Sequence, residues 1–320
     1  MIFDTDIGID DAMALLFAHY SPEINLVAIT TLFGNASVEN TTKNALYIKQ
    51  KFKIDAPVFK GAEGPLGTKL SDSYPEHVHG KDGLGNIKIA EPRVKQEQLP
   101  AAQAIIKLSK ETAQKISIIS IGGLTNIASA LTLDPGLANR IEQLIVMGGA
   151  FGYNQHRGNV TPVAEANIAN DPQAADLVFS SNIPTTIVGL DVSHEIKVNQ
   201  AFIASLDKSA GQAGAFISAT MKYYLDFHYQ INGVYECPLH DSSAIAYLIN
   251  PDLFTTISAP VRVVTSGIAH GQTIHGDSTR DYVTNTWRNI PPSRICTQVD
   301  SNGVLALYKK TLQASVNDNS

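Results

Sequence analysis

The chain has 320 residues, of which 44% are hydrophobic and 17% charged, and this balance is typical of a folded globular protein with a large buried core. Its formal net charge is −6 and it has no basic stripe, which argues against nucleic acid or a membrane surface as a partner. Two cysteines, Cys237 and Cys296, are too few for a disulfide framework, and we find neither a signal-peptide pattern nor an apolar run of about 20 residues, so we expect a cytoplasmic protein.

Strand-like apolar runs alternate with amphipathic helical patterns through the first 190 residues. Such alternation predicts parallel strands joined by crossover helices. The fold class is therefore α/β, with an open, mostly parallel, doubly wound (Rossmann-like) sheet, helices on both faces and a few extra short strands. The segments that predict it are a helix at 10–20, a strand at 24–33, a helix at 37–52, a strand at 116–122, a helix at 124–133, a strand at 142–149, a helix at 171–181 and a strand at 185–190.

The remaining segments include one long loop and a second group of helices. The Gly- and Pro-rich stretch 61–93 is expected to be a loop, and loops of that length inside a domain usually have a function. No repeat, low-complexity run or linker interrupts the chain, so we expect one domain covering residues 1–320. The later pattern predicts a helix at 211–230, a helix that begins near Asp241, short strands within 256–290 and a closing helix at 300–313.

The segment DTDIGIDD, at residues 4–11, places Asp4, Asp6, Asp10 and Asp11 directly after the first apolar run. Carboxylates this close together repel one another and raise each other's pKa. Asp10 and Asp11 would suit the positive N-terminus of the first helix, but that role leaves the other two unexplained. A divalent cation would compensate the whole cluster, and Ca²⁺ binds about six to eight oxygen ligands of this kind.

Other polar or functional side chains follow later strands of the predicted sheet. Because sites in open α/β sheets form beyond the carboxyl ends of the strands, we expect these residues and the aspartates to line one rim. An Asp-x-Asp phosphatase is an alternative, although such enzymes carry Gly-Thr after the second aspartate, where this chain has Ile7-Gly8. The residues at strand ends are Asn35, Thr125, Asn126 and Met147.

The first of these motifs, DTDIGIDDAMALLFA, resembles the N-terminal fingerprint of the nucleoside hydrolase family (inosine–uridine preferring). Ile7 stands where that family usually has proline, and all the carboxylates remain in place. The resemblance covers most of the chain and keeps the family order. Its further blocks are GNASVENTTKNAL (34–46), HGKDGLGN (79–86), GGLTNIASAL (122–131), VMGGAF (146–151), GNVTPVAEANIANDPQAA (158–175) and PLHDSSAIAYLINP (238–251).

The resemblance implies a metal site and a ribose site. The implied cofactor is one Ca²⁺ per subunit, held by Asp6, Asp11, Asp241 and the carbonyl of Thr125. Some of the implied ribose residues lie in loops, where hydrogen bonds within a turn are the alternative role. The residues implied to bind ribose are Asp10, Asn35, Met147, Asn159, Glu165, Asn167 and Asp241.

The resemblance also implies how the reaction would be catalysed. Asp6 would take a proton from water beside the cation, while the carboxylates would stabilise an oxocarbenium-like sugar. His240 would lie near the leaving base, as a proton donor or as a group that orients one; a structural histidine is the alternative. His79 either approaches the base or is an exposed loop residue.

The base is expected to contact the segment 223–238, where Tyr224, His228 and Asn232 recur at one-turn spacing on a helix. An inward-packed aromatic face is the alternative for this helix. His156 and His194 are expected to be structural, and Cys237 an inert buried thiol.

The sequence thus predicts Ca²⁺-dependent hydrolysis of ribonucleosides to free base and ribose, with a weak preference for pyrimidines (uridine or cytidine) or a broad specificity. The alternative is a catalytically silent nucleoside- or ribose-binding protein with the same metal site. The expected partner is a small-molecule ribonucleoside, and the resemblance implies a homodimer or homotetramer.

Overall fold

The computed structural model describes residues 1–67, 73–277, 279–280 and 282–316. The predicted loop at 61–93 lies mostly within these ranges, but its positions 68–72 fall outside the described residues. Among the described helices, none is both long enough and apolar enough to cross a membrane.

A mostly parallel sheet runs through the protein. The strands in chain order are β1 (Ile2–Thr5), β2 (Ala28–Thr31), β3 (Val58–Lys60), β4 (Ile116–Ser120), β5 (Ile141–Met147), β6 (Thr185–Val188), β7 (Lys197–Asn199), β8 (Glu236–Pro238), β9 (Phe254–Val263), β10 (Thr273–His275) and β11 (Pro292–Val299). The large sheet has the order β10-β9-β11-β6-β5-β4-β1-β2-β3, and β9 pairs antiparallel with both of its neighbours. β7 and β8 form a separate antiparallel pair.

Helices connect these strands and cover both faces of the sheet. They are α1 (Ile9–Tyr20), α2 (Val38–Phe52), α3 (Glu76–His79), α4 (Ala101–Glu111), α5 (Thr125–Leu133), α6 (Ala166–Asn170), α7 (Pro172–Phe179), α8 (Leu190–Ser193), α9 (Gln200–Ser209), α10 (Gly211–Asn232), α11 (His240–Ile249) and α12 (Ser301–Ala314). Short 3₁₀ helices lie at Pro135–Arg140, Tyr153–Gln155, Pro251–Leu253 and Asn285–Trp287.

Alternating side chains of the strands build two cores, one on each face of the sheet. Phe3 and Ile119 pack in the core that contains α1, α10 and α11, whereas Ile2 and Ile118 pack in the core that contains α4, α5 and α7. Because successive residues of a strand point to opposite faces, a strand buried on both sides reads as a continuous apolar run. This arrangement explains why the short apolar runs of the sequence are central strands.

The predicted doubly wound α/β fold is confirmed. The structure adds β3 and α4, which lie in segments where no element was predicted, and it adds α3 inside the predicted loop. The strand predicted at 24–33 is shorter, because only Ala28–Thr31 pairs with its neighbours. The short strands predicted within 256–290 are in fact the ten-residue β9 and the short β10, with β11 following them.

The first loop of the sheet brings the aspartates to the end of β1. Asp4 is still part of that strand, and α1 begins three residues after Asp6. Asp11 stabilises the start of α1, because its Oδ2 accepts the Gly8 backbone N–H at 2.9 Å. The helix-capping role foreseen for one of the aspartates is therefore real for Asp11, and it leaves the other carboxylates to be explained.

Candidate active site

A cavity of about 810 Å³ opens beyond the carboxyl ends of β1, β2, β4 and β5, and one side of α10 closes it. Most of the residues that the sequence singled out line this cavity. Asp6, Asp11 and Thr125 are buried and are not among the described lining residues. The predicted residues that line it are Asp10, Asn35, His79, Met147, Asn159, Glu165, Asn167, Tyr224, His228, Asn232, His240 and Asp241.

An acidic group lies at the inner wall of the cavity. Asp10, Asp11 and Asp241 each place a carboxylate oxygen within 4.8 Å of the other two, although they come from α1 and from the start of α11. Burial raises the pKa of Asp10 to about 6. Burial, and then repulsion from Asp10 and Asp11, raises the pKa of Asp241 well above its ordinary value. Carboxylates in this condition favour a cation or a proton among them.

Asp6 completes the acidic group from the end of β1. Its Oδ2 accepts the Asn35 backbone N–H at 2.8 Å, whereas its buried Oδ1 has no hydrogen-bond partner among the described residues. Burial, followed by the charge of Asp11, raises the pKa of Asp6 well above its ordinary value. A buried oxygen of this kind is costly unless a ligand satisfies it.

Two glycines keep the space around Asp6 open. A Cβ atom on Gly34 would lie 1.9 Å from Asp6 Oδ2, and one on Gly122 would lie 2.6 Å from Oδ1. Gly34 also has a φ of +156°, which side-chain-bearing residues rarely adopt. The loops that follow β2 and β4 can therefore approach the Asp6 carboxylate only because glycine occupies both positions.

Donors around Asp11 hold it in a single orientation. Its Oδ1 accepts from the Thr5 hydroxyl at 2.6 Å, and its Oδ2 accepts from Asn35 Nδ2 at 2.8 Å. Asn35 therefore binds two carboxylates at once, through its backbone to Asp6 and through its side chain to Asp11. It holds the acidic group together in addition to lining the cavity.

Asp4 and Thr125 lie outside the acidic group and have side-chain partners of their own in the fold. Asp4 accepts hydrogen bonds from Thr30, Ser120 and Asn126, and its role is to tie β1 to its neighbours. Thr125 begins α5, and its hydroxyl donates to Asp171 Oδ2 at 2.8 Å. The side chain of Asn126 has a structural role as well. Its Nδ2 donates to Asp4 and to the Thr31 carbonyl, and its Oδ1 accepts the Ala62 N–H.

The opposite wall of the cavity contains the motif residues 159–167. Glu165 caps α6, because its carboxylate accepts the N–H groups of Asn167 and Ile168, and it also accepts the Gly149 N–H at 2.9 Å. Asn167 Nδ2 donates to the carbonyls of Ile121 and Met147. Glu165 therefore makes the local hydrogen bonds that were the alternative role for these loop residues. Glu165 and Asn167 also line the cavity.

Asn159 is the least enclosed of the proposed ribose residues. It is exposed, and its Oδ1 accepts the Ala166 N–H at 3.0 Å. Its remaining amide donors are therefore the groups that a ligand in the cavity could bind.

Two histidines meet on the wall next to α11. His240 is buried at the first position of α11, and its Nδ1 lies 2.8 Å from the Ser193 hydroxyl. The His194 ring stands edge-on to the His240 ring, with centroids 5.0 Å apart. Burial and neighbouring imidazoles lower the pKa of His240 well below its ordinary value. His240 is therefore neutral at neutral pH.

The remaining candidates form an aromatic wall. His79 is buried rather than exposed, its Nδ1 accepts the Ile9 N–H at 3.2 Å, and its ring stacks against Tyr224 at 5.8 Å. Burial lowers the pKa of His228 to about 4, and its buried Nε2 has no partner among the described residues. Asn232 is exposed at the end of α10. This wall thus offers the buried Nε2 of His228 as an atom that a ligand could bind.

Sequence reasoning missed the segment 193–194. His194, which was expected to be structural, lines the cavity, and its ring stacks on the ring of His156 with centroids 4.9 Å apart. The signal was available: GLDVSH directly follows the strand β6, as the other site segments follow theirs. Cys237 is buried with a raised thiol pKa, as expected for an inert cysteine.

Comparison with known proteins places the whole chain in one group. Residues 1–306 match the family model described as inosine-uridine preferring nucleoside hydrolase. Uridine nucleosidase 1 of Arabidopsis thaliana is 36% identical over 314 residues, covering 98% of this chain and 92% of that protein.

Two solved structures are similar over nearly their full length. The plant nucleoside hydrolase PpNRh1 superposes with a TM-score of 0.93 at 35% identity, covering 98% of each chain. A purine-preferring ribonucleoside hydrolase from Gardnerella vaginalis has a TM-score of 0.89 at 30% identity, covering 98% of this chain and 99% of the other. The fold of this chain is thus that of these two enzymes.

Proposed function

The chain belongs to the inosine-uridine preferring nucleoside hydrolase family and is a nucleoside N-glycosidase; from that premise, we propose that it hydrolyses ribonucleosides to free base and ribose in a Ca²⁺-dependent reaction. The observation that carries the proposal is the group of buried carboxylates of Asp10, Asp11 and Asp241 at the wall of the cavity, with Asp6 beside it. Buried carboxylates beside a cavity suit glycosidic cleavage, because that reaction develops positive charge on the sugar.

The residues fit a divalent cation. Asp6 Oδ1 and Asp10 Oδ1 are buried and have no hydrogen-bond partner among the described residues, and carboxylate oxygens are the ligands that hard cations prefer. We assign Asp6, Asp11, Asp241 and the Thr125 carbonyl as ligands, with Asp10 directly next to them. When bound, Ca²⁺ would lower the pKa of a water molecule and bind the vicinal diol of ribose.

Asp6 is the proposed general base. It takes the proton of the attacking water, which the bound cation would make more acidic. With the cation bound, the other carboxylates would be ionised around the sugar and would stabilise the oxocarbenium-like transition state by a preorganised field. Glu165 contributes to this field from the opposite wall, where backbone N–H groups fix its orientation.

Ribose is held from both sides of the cavity. Asp10, Asn35, Asn159 and Asn167 are the proposed partners of its hydroxyl groups, with Met147 packed under the ring. A substrate without the 2′-hydroxyl would leave some of these buried groups unpaired, so we expect 2′-deoxyribonucleosides to be poor substrates.

The base occupies the wall formed by His79, Tyr224, His228, Asn232 and His240. The neutral His240 donates a hydrogen bond through Nε2–H to the departing base, or it orients the group that protonates the base. We propose a preference for pyrimidines or a broad specificity. The similarity to a uridine nucleosidase supports a pyrimidine preference. The similarity to a purine-preferring enzyme supports a broad specificity.

We further propose one catalytic domain, a homodimer or homotetramer and a cytoplasmic location. The sheet takes strands from Ile2 to Val299, which supports one domain, and the buried free cysteines Cys237 and Cys296 suit a reducing compartment. Light scattering of the purified protein tests the oligomeric state.

Release of base and ribose from a nucleoside panel tests the function. The panel contains inosine, adenosine, guanosine, uridine, cytidine and 2′-deoxyuridine, each with and without a chelator. We expect chelator-sensitive cleavage of the ribonucleosides and little of the deoxynucleoside. Binding of ribonucleosides without any cleavage would instead identify a silent binding protein.

A His240→Ala variant distinguishes a role of His240 in leaving-group departure from a role in substrate binding. We expect it to lower kcat on the order of 10²-fold with a smaller change in KM, because the loss falls on leaving-group departure. A change in KM alone would make His240 a binding residue.

A further inference from the structure

The hydroxyl of Ser193 is 2.8 Å from Nδ1 of His240, and both residues are buried. We propose that Ser193 is a positioning residue that holds His240 in the tautomer with its hydrogen on Nε2, so that Nε2 can donate to the base. Ser193 itself takes no part in bond making or breaking. The role of this tautomer in turnover rests on the proposed nucleoside hydrolysis.

Donor counting decides the direction of this hydrogen bond. Within the described residues, Ser193 Oγ has no other hydrogen-bond partner. If Nδ1 carried the hydrogen, the hydroxyl hydrogen of Ser193 would be buried without an acceptor, which is costly. If the hydroxyl donates to Nδ1, both groups are satisfied. A neutral imidazole whose Nδ1 accepts must carry its hydrogen on Nε2.

The backbone fixes Ser193 and His240 against each other although they are far apart in sequence. Ser193 ends α8, and three residues later the Ile196 carbonyl accepts the Leu239 N–H at 2.7 Å. β7 and β8 then pair antiparallel, with Val198 opposite Cys237. This small sheet joins the segment after Ser193 to the segment before His240, so the contact is set by a rigid frame.

A second contact fixes the plane of the His240 ring. His194 lies edge-on to it at 5.0 Å with an interplanar angle of 88°. His194 is in turn stacked on His156 at 4.9 Å, and His156 Nε2 lies 2.5 Å from Glu195 Oε1. With the ring plane held by His194 and the tautomer held by Ser193, only Nε2 is left to serve a ligand.

The tautomer can be observed directly. In protein labelled with ¹⁵N-histidine, long-range ¹H–¹⁵N correlations distinguish the two neutral tautomers, and a His240→Gln variant assigns the His240 signals. We expect the Nε2–H pattern in the wild-type protein and a loss of this preference in Ser193→Ala. An Nδ1–H pattern in the wild-type protein would overturn the proposal, whatever the enzyme cleaves.

Kinetics with two leaving groups give the second readout. Ser193→Ala is expected to lower kcat on uridine about tenfold, the effect of losing one oriented hydrogen bond, with KM within about twofold. On p-nitrophenyl β-D-riboside, whose leaving group departs without a proton, the same variant is expected to match the wild type. Equal losses on both substrates would mean a merely structural serine and would overturn the proposal.

Two controls complete the design. Ser109→Ala removes a buried hydroxyl of α4, remote from the cavity, and should leave both rates unchanged. In a His240→Ala background, Ser193→Ala should cause no further loss on uridine, because its target is gone; a full additional loss would contradict the assignment. Failure of the wild type to cleave any nucleoside would refute the hydrolase proposal. The NMR measurement of the His240 tautomer would still decide whether Ser193 holds that tautomer.

Discussion

Asp4 and Asp6 are two residues apart and are both completely buried, yet the protein treats them in opposite ways. Asp4 accepts from the Thr30 hydroxyl at 2.6 Å, from Asn126 Nδ2 at 2.8 Å and from the Ser120 hydroxyl at 3.2 Å. Asp6 keeps one oxygen without a partner among the described residues and lies next to other carboxylates.

The difference teaches how to separate a structural carboxylate from a functional one. A buried carboxyl group whose oxygens accept hydrogen bonds from several donors ties elements of the fold together, as Asp4 does between β2 and β4. A buried carboxylate that faces like charges and has an oxygen without a hydrogen-bond donor lowers the stability of the fold. Such a carboxylate therefore indicates a missing ligand. Four experiments test this distinction.

The largest effect is expected for Asp6→Asn. The change removes the proposed base and a cation ligand but almost no volume, so kcat on uridine should fall on the order of 10³-fold or more while the circular dichroism spectrum stays the same. Asp4→Asn is the matched control, and its kcat per folded molecule should stay within about threefold of the wild type. Equal losses in the two variants would erase the distinction.

The pH dependence of stability isolates Asp4. Burial raises its pKa from 3.8 to about 6, so the folded state binds a proton more tightly than the unfolded state. The wild type therefore loses stability as pH rises through this window, whereas Asp4→Asn does not titrate there. The stability of the wild type minus that of the variant should fall by roughly 3 kcal/mol between pH 3.5 and 7.

Urea unfolding of both proteins in chelator at several pH values measures this difference. Neighbouring histidines and aspartates titrate in both proteins, so they cancel to first order. A difference that is flat with pH would mean that Asp4 has an ordinary pKa in the folded protein.

Calcium is expected to stabilise the wild type and Asp4→Asn alike. Binding to the folded state adds about 2.7 kcal/mol at a concentration 100 times Kd, which raises Tm by a few degrees. Asp241→Asn should show little of this increase, because it removes a ligand from the acidic group. Thermal unfolding with and without Ca²⁺ gives the comparison, and an equal increase in Asp241→Asn would place the cation elsewhere.

The smallest effect is expected for a substitution of His228. Two histidines of the cavity, His79 and His228, differ as Asp4 and Asp6 do: one has a hydrogen-bond partner for its buried nitrogen and the other lacks one among the described residues. His79 Nδ1 has a partner in the Ile9 N–H, whereas His228 Nε2 is buried without one among the described residues. His228→Ala should raise KM for the preferred nucleoside about tenfold, the effect of one hydrogen bond to the base, with little change in kcat. An unchanged KM across the panel would show that the base does not use this atom.

Much of the fold could be predicted from the sequence, because central strands and amphipathic helices have distinct periodicities. β3 has only three residues, so its local pattern was too weak, whereas α4 has a clear amphipathic pattern that the sequence interpretation passed over. The aspartates of the site could be predicted because they lie within one short segment after β1.

The contact between Ser193 and His240 could not be predicted in this way. It depends on the pairing of β7 with β8 across nearly 40 residues, and local periodicity carries no information about such pairing. The sequence likewise could not tell that Asp4 is satisfied, since its donors come from β2, β4 and α5.

The most direct test of the central claim is the turnover of uridine by wild-type protein stripped of metal and then titrated with Ca²⁺, with metal content measured at each step. We expect negligible turnover in the stripped protein and a saturable recovery that is complete at one Ca²⁺ per chain. Full turnover at a verified metal content near zero would contradict the claim that the unsatisfied carboxylates exist to hold a catalytic cation.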